Sequence, residues 1–261
     1  MDDNLKKELL KIAVLAGKNA SKIIKKHYDK FEIYTKKDDS PLTSADLAAN
    51  EEIFKILEKT GIKICSEESI LSDDIKNLDE FWLIDPLDGT KEFIAKNGEF
   101  CVCIALIKNS RPILGVIDIP CKDEIFYSSG DGKIYKNDNI LQQNTTLNKI
   151  FLTGKKSKNK NLQNLATKLN LEISRVGSAI KFCMIAENKA LLYSRLGPSC
   201  IWDIAAGDFL VSQSGGEVID LKTKKAPLYH PTNLINNHYL VIGKDFMCKK
   251  DEIIKFLDGN S

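Results

Sequence analysis

Four consecutive apolar residues, Phe81, Trp82, Leu83 and Ile84, run directly into two carboxylates, Asp85 and Asp88, in the stretch FWLIDPLDGTKEF at 81–93. An unbroken apolar run of this length reads as a buried strand. Acids at the end of a buried strand must be hydrated, paired with base, or held around a cation. No Lys, Arg or His stands between the run and Thr90, so a cation is the reading the residues favour, with Glu67 and Glu68 as further donors. The plain alternative is a polar turn closing a strand, since Asp, Pro and Gly are ordinary turn residues. The expected geometry is a tight turn, with Pro86 between the acids and Gly89 after them.

Upstream, Leu5, Leu9, Ile12, Ala13, Ala16 and Ile23 recur at helical spacing among lysines, which predicts an amphipathic helix over 5–24. A short strand is expected at 31–34. Thr43 and Asp46 form a capping box that opens a helix running to Gly61, which gives Asp46 a structural task of its own. The apolar run at 62–65 ends on Ser66, Glu67 and Glu68, a second strand that releases acids. A lead-in from Asn77 reaches the central strand, and strands are expected at 101–107, 113–119, 124–127 and 133–135 with turns at KNSRP, PCKD and GDG. Consecutive strands after two helices predict an antiparallel sheet, an α+β first half.

Beyond Leu141 the polar QQNTTLNK precedes a region rich in Lys and Asn, and a soft boundary is expected there, dividing 1–147 from 148–261. The second half reads as helices at 161–169, 179–187, 204–214 and 251–257, with strands at 190–193, 217–219 and 239–242. Gly215 and Gly216 stop the third of those helices.

The 38 basic and 36 acidic residues leave a net charge of +2, so no global field favours a nucleic-acid polymer. Arginine is confined to Arg111, Arg175 and Arg195; each is a candidate anion contact, and Arg111 reads as a surface ion pair. The N-terminus lacks the pattern of a signal peptide, and no apolar stretch approaches the roughly 20 residues of a membrane span. Seven scattered cysteines without a Cys-x-x-Cys pair read as reduced thiols of a cytoplasmic protein; Cys101 and Cys103 share a strand face as packing residues. The lysine-rich first helix leaves peripheral association with the inner membrane face open, a solvated surface being the plainer reading. His27, His230 and His238 belong to no motif and read as structural or surface residues.

Glu67, Glu68, Asp85, Asp88 and Asp203 make an all-carboxylate set with no histidine nearby, which suits Mg²⁺ before Mn²⁺ or Ca²⁺. The carbonyl of Leu87 is a further oxygen donor. Paired ions of this kind serve phosphoryl transfer by an activated water. Thr90 with Asp46 can orient that water and accept its proton, and the amides after Gly89 can cradle phosphate. Ser178 and Lys181 lie one helical turn apart at a helix start, and Arg195 ends a strand near Asp203.

WLIDPLDGTKEF, preceded by SEES and followed by IWDIAAGDFLVSQSGG, resembles the inositol monophosphatase superfamily of metal-dependent, lithium-sensitive phosphatases. SPLTSAD, NGEFCVCIALI, PILGVIDIP, GSAIKFCMIAE and YSRLGPSCIWDIAAGD resemble its bacterial 3′(2′),5′-bisphosphate nucleotidase (CysQ) branch, with matching segments over 40–216. The resemblance implies a mixed α/β fold, a layered αβαβα sandwich with the metal site between the halves. It implies a first metal on Glu67, Asp85 and the Leu87 carbonyl, a second on Asp85, Asp88 and Asp203, and Glu68 as indirect ligand of a third, weaker one. Asp46 and Thr90 would activate the water, with Gly89, Thr90, Ser178, Lys181, Arg195 and Asp203 as substrate contacts. Two or three Mg²⁺ ions are implied, with Mn²⁺ as substitute and Li⁺ and Ca²⁺ as inhibitors.

The implied reaction is hydrolysis of the 3′-phosphate of 3′-phosphoadenosine 5′-phosphate, or of its sulfated form, in sulfur assimilation or nucleotide recycling, by a monomer or homodimer. Inositol monophosphate and fructose 1,6-bisphosphate are the alternative substrates. GTKEF, where inositol phosphatases usually read Gly-Thr-x-Asn-Phe, favours the nucleotide. The three-residue Asp spacing does not match the Asp-x-Asp nucleophile of haloacid dehalogenase-type phosphatases. A Cys and Arg six apart and a Gly-Lys-[Ser/Thr] loop are both missing. A silent nucleotide- or metal-sensing protein is the alternative from another class, and the intact acid set counts against it.

Overall fold

The computed structural model describes residues 2–36, 38–69 and 78–259; Asn77, the expected start of the lead-in to the central strand, lies outside them. Helix α1 (Asp3–His27) is followed by the small hairpin of β1 (Ile33–Thr35) and β2 (Pro41–Thr43) and by α2 (Ser44–Leu57). The expected capping box is present: Thr43 accepts from the α2 amides while Asp46 accepts from the Thr43 amide. Gly61 terminates the segment in the left-handed region.

Strands β3 (Ile64–Ser66), β4 (Glu80–Asp88), β5 (Cys101–Lys108), β6 (Arg111–Ile119), β7 (Glu124–Ser128), β8 (Tyr135–Lys136) and β9 (Asn139–Ile140) form one seven-stranded sheet in sequence order, with α3 (Thr90–Ile94) between β4 and β5. β3 and β4 are parallel; the other pairs are antiparallel, as the run of consecutive strands predicts.

A second sheet of order β11-β10-β12-β14-β13 uses β10 (Ile150–Thr153), β11 (Glu172–Arg175), β12 (Leu192–Arg195), β13 (Glu217–Asp220) and β14 (Tyr239–Ile242). Its helices are α4 (Lys160–Leu169), α5 (Ile180–Ala186), α6 (Ala205–Gln213) and α7 (Lys250–Asp258).

Alternation along the strands builds the layers, because successive side chains point to opposite faces. Trp82 and Ile84 of β4, with Val102, Ile104 and Leu106 of β5, join a core with α1 and α2. Phe81 and Leu83, with Cys101, Cys103, Ala105 and Ile107, face the other way, onto α5, α6 and the inner face of the second sheet. Leu192, Leu240 and Ile242 then pack outward onto α4 and α7. The result is the αβαβα sandwich, the fold class the family resemblance implies.

Three local expectations are corrected. The acids of 85–88 do not occupy a tight turn: β4 continues through them, with Asp85 opposite Cys103 and Asp88 opposite Cys101. Three residue steps on β4 against two on β5 define a bulge, and Pro86 falls inside it, where a missing N–H is tolerated. Arg111 is not a surface ion pair; it meets the buried Asp208 carboxylate at 2.7 Å and lies over the Tyr229 ring, tying β6 to α6. The region after Leu141 contains β10, a near-central strand, where only a polar connection is expected.

Asp118 of β6 is buried against α1 and accepts a hydrogen bond from Ser21 Oγ. Burial pushes its carboxyl up to about 6, only partly offset by Ser21 and by Lys25 and Lys18. A raised folded-state pKa means that the stability present below the ordinary value near 3.8 is lost as pH rises through about 6. Asp118→Asn, which keeps an acceptor for Ser21, is therefore expected to stabilise the protein by about 1–2 kcal/mol above pH 6 and to change little at about pH 4. Urea denaturation at both pH values checks this; a difference independent of pH would contradict it.

Candidate active site

Ladder partners lie on the same sheet face. Residues three apart on a regular strand point to opposite faces, but the bulge turns both Asp85 and Asp88 to the face of Cys103 and Cys101, between the two sheets. The turn of Ile201–Asp203 that precedes α6 brings Asp203 to the same place, and Glu67 follows directly on β3. One carboxylate oxygen from each of Glu67, Asp85 and Asp203 lies within 4.8 Å of the others. Asp85 Oδ1 accepts from the Leu87 amide at 3.0 Å, and Asp203 Oδ2 accepts from the Cys200 amide at 2.9 Å.

Burial, then the charges of Glu67, Asp88 and Asp203, holds the Asp85 carboxyl well above its ordinary range. Burial also lifts Asp203 to about 8, with Asp88 adding to it. Asp88 is lifted to about 6 by burial, moderated by Lys181 and by the Ala179 amide, which donates to Asp88 Oδ2. Among the described residues, no basic side chain comes within 4.0 Å of Asp85, Asp88 or Asp203. Buried aspartates of an all-oxygen cluster, themselves without a basic partner, fit a hard divalent cation.

Lys36, which sequence reasoning passed over, places its ammonium 2.7 Å from both Glu67 Oε1 and Glu68 Oε1. Burial lowers the basicity of this amine, but the two glutamates outweigh it and the net shift is upward. Glu68 is thus oriented toward Lys36 rather than into the cluster of Glu67, Asp85 and Asp203, and its carboxyl is pushed up to about 7, chiefly by burial.

Thr90 Oγ1 donates to Asp46 Oδ1 at 3.0 Å and stands 3.4 Å from the Leu87 carbonyl. Asp46 Oδ2 accepts from the Thr43 amide at 2.8 Å and from Thr43 Oγ1 at 2.5 Å. The cap and the dyad are one arrangement, and burial raises the Asp46 carboxyl despite these donors. Gly89 turns the chain from β4 into α3 at φ +99, and a Cβ there would stand 3.1 Å from the Glu99 carbonyl.

Asp88, Gly89 and Asp203 open onto a cleft of about 550 Å³ whose far wall carries Ser178, Lys181, Arg195 and the lysine-rich loop at 154–159. Ser178 adopts a left-handed backbone, φ +48. The buried Lys181 ammonium donates to the Val176 carbonyl at 3.2 Å and to that of Ser178, beneath the Tyr193 ring. Arg195 donates from Nε to the Pro198 carbonyl at 3.0 Å. Glu99, also missed, ties the first half to the far wall of the cleft: Oε2 accepts from the Gly177 amide at 2.7 Å and Oε1 meets Lys155 Nζ at 2.8 Å. Its only sequence signal is its place in NGEF. His27 and His230 bond the hydroxyls of Ser44 and Thr232, away from this cluster.

A layered αβαβα sandwich with clustered carboxylates at the end of a bulged strand defines a class of metal-dependent phosphomonoesterases, and the chain belongs to it: residues 5–250 match the inositol monophosphatase family. Its relatives include the 3′(2′),5′-bisphosphate nucleotidases CysQ of Buchnera aphidicola, 40% identical over 82% of this chain and 84% of that protein, and of Escherichia coli K12, 35% identical over 80% and 89%. The crystal structure of CysQ from Bacteroides thetaiotaomicron, 31% identical, superposes with a TM-score of 0.78 and covers 90% of this chain and 97% of that one. No described helix is long and apolar enough to cross a membrane.

Proposed function

We propose that this protein hydrolyses the 3′-phosphate of 3′-phosphoadenosine 5′-phosphate, and of its sulfated form, to give AMP or adenylyl sulfate. The observation that carries the reading is the facing of two unlike walls across one cleft: buried acids on the bulge of β4 and at Asp203, and Ser178, Lys181 and Arg195 opposite. The acid wall suits cations beside the phosphate that leaves. The basic wall suits a second anionic group, which a monophosphorylated sugar lacks. The names of relatives at 35–40% identity agree with this.

In this reading Glu67, Asp85 and the Leu87 carbonyl hold a first Mg²⁺, and Asp85, Asp88 and Asp203 a second. Glu68 bears indirectly on a third, weaker one; Mn²⁺ substitutes, while Li⁺ and Ca²⁺ inhibit. Bound there, the ions supply Lewis acidity to the attacking water and the phosphate oxygens. Thr90 Oγ1, already donating to Asp46, has lone pairs left to receive the water proton, and its own proton passes to Asp46 Oδ1. Donation from Thr43 to Oδ2 fixes the Asp46 carboxylate for this, and the raised basicity of Asp46 favours the transfer. Gly89 and Lys91 line the cleft, so the amides after Gly89 would cradle the phosphate there. The half 1–147 supplies the acids of β4, and the half 148–261 supplies Asp203 and the basic wall.

Glu99 is a positioning residue in this scheme, since it ties the 176–179 segment, and through it the Ala179 amide on Asp88, to the first half. Glu99→Ala is expected to raise KM for the nucleotide about tenfold with kcat changed less than about threefold, and Glu99→Gln to fall between. Steady-state kinetics check this; an unchanged KM in Glu99→Ala would contradict it. The proposal itself is tested by phosphate release from 3′-phosphoadenosine 5′-phosphate, its sulfated form, inositol 1-phosphate and fructose 1,6-bisphosphate, with and without Li⁺. The nucleotides should be the preferred substrates and Li⁺ should inhibit; faster turnover of either sugar phosphate would overturn it.

A further inference from the structure

The floor of the acid cluster is made of thiols. Cys101 and Cys103 are the ladder partners of Asp88 and Asp85, both fully buried, with Sγ atoms 3.8 Å apart. Cys101 Sγ is 3.9 Å from Asp88 Oδ2, and the ligand atoms of Asp88, Cys101 and Cys103 all lie within 4.8 Å of one another. Zinc–sulfur bonds of about 2.3 Å in a tetrahedron separate two sulfurs by about 3.8 Å, and a sulfur from a carboxylate oxygen by about 3.5 Å. The sulfur pair is already at that spacing, the Cys101 sulfur needs to approach the Asp88 oxygen by a few tenths of an ångström, and the Cys103 sulfur stands within 4.8 Å of it.

We propose that Cys101, Cys103 and Asp88 form a site for a soft divalent cation of the Zn²⁺ or Cd²⁺ type. It lies beneath the oxygen-lined cluster and shares Asp88 with it. Thiolate ligands select such ions over Mg²⁺. Binding forms two metal–sulfur bonds and releases two thiol protons to solvent, with no change of oxidation state. Asp88 lines the cleft, so the ion would enter past Asp88, with three protein ligands leaving a fourth position for water. Occupancy takes Asp88 from the acid set, so the same ion blocks phosphate release in a thiol-dependent way. That inhibitory consequence rests on the proposed phosphatase reading; the binding does not.

The test uses the full chain with the exposed thiols removed, Cys121→Ser/Cys248→Ser, titrated with Cd²⁺ alone. Ultraviolet thiolate-to-cadmium charge transfer and equilibrium dialysis are followed. One Cd²⁺ per chain with a charge-transfer band is expected. Adding Cys101→Ser/Cys103→Ser should remove the band and weaken binding by about a hundredfold or more, while Mg²⁺-supported turnover becomes resistant to Cd²⁺. Cys101→Val/Cys103→Ala, suited to the apolar surroundings, serves if the serine pair does not fold. No band in the parent, or a band of equal affinity without the two thiols, would overturn the proposal. Since the band needs no substrate, that failure is distinct from failure of the nucleotidase reading.

Discussion

Asp88→Asn is expected to lower turnover of 3′-phosphoadenosine 5′-phosphate by about a thousandfold or more, a loss of about 4 kcal/mol of transition-state stabilisation. Asparagine keeps the shape and an oxygen for the Ala179 amide, so the 176–179 segment should stay in place. What it removes is one negative charge from a cluster whose work is to hold cations. The same change should stabilise the metal-free protein. Burial raises the Asp88 carboxyl to about 6; the stability associated with its protonated form is lost as pH rises through that value, and asparagine cannot ionise. Thermal melts in chelator at about pH 8 should therefore place the variant above the wild type, with the order reversed or closed by Mg²⁺. Activity within about tenfold of wild type, or a variant less stable in chelator, would contradict the assignment of Asp88.

Gly207→Ala carries the largest expected effect on the fold. Gly207 lies on α6 where it crosses α5, and a Cβ there would stand 2.3 Å from Phe182 Cγ and 2.7 Å from Phe182 Cβ. Phe182 cannot swing aside: it is 1% exposed and packs edge-on against Tyr193 and stacked over Tyr239. One of the two helices must move, at a cost of about 3 kcal/mol, or roughly 6–12 °C in melting temperature for a chain of this size. α5 begins beside Ser178 and carries Lys181, so KM should rise as well. A melting temperature within about 2 °C of wild type would show that the α5–α6 contact is softer than this packing implies.

The acid set was legible because its members sit where apolar runs stop, and the capping box because its chemistry is local to four residues. The bulge was not. An Asp-Pro-x-Asp string looks like a turn, and only the register against Cys101 and Cys103 shows that the extra residue brings both acids to one face. Strand β10 hid because IFLT is only four residues long beside a polar connection. β11 hid because EISR, at an exposed edge, has no apolar alternation to read. Lys36, Glu99 and the Arg111–Asp208 pair act across 31 to 97 residues of chain, and such partners leave no trace in spacing.

Product identity shows which phosphate lies at the acid wall. 3′-Phosphoadenosine 5′-phosphate incubated with the Mg²⁺-loaded enzyme and resolved by chromatography should give AMP and inorganic phosphate in equal amounts, with none formed in chelator. Adenosine 3′-phosphate as the product, or equal turnover in chelator, would contradict an acid wall that holds cations at the 3′-phosphate and a basic wall that holds the 5′-phosphate.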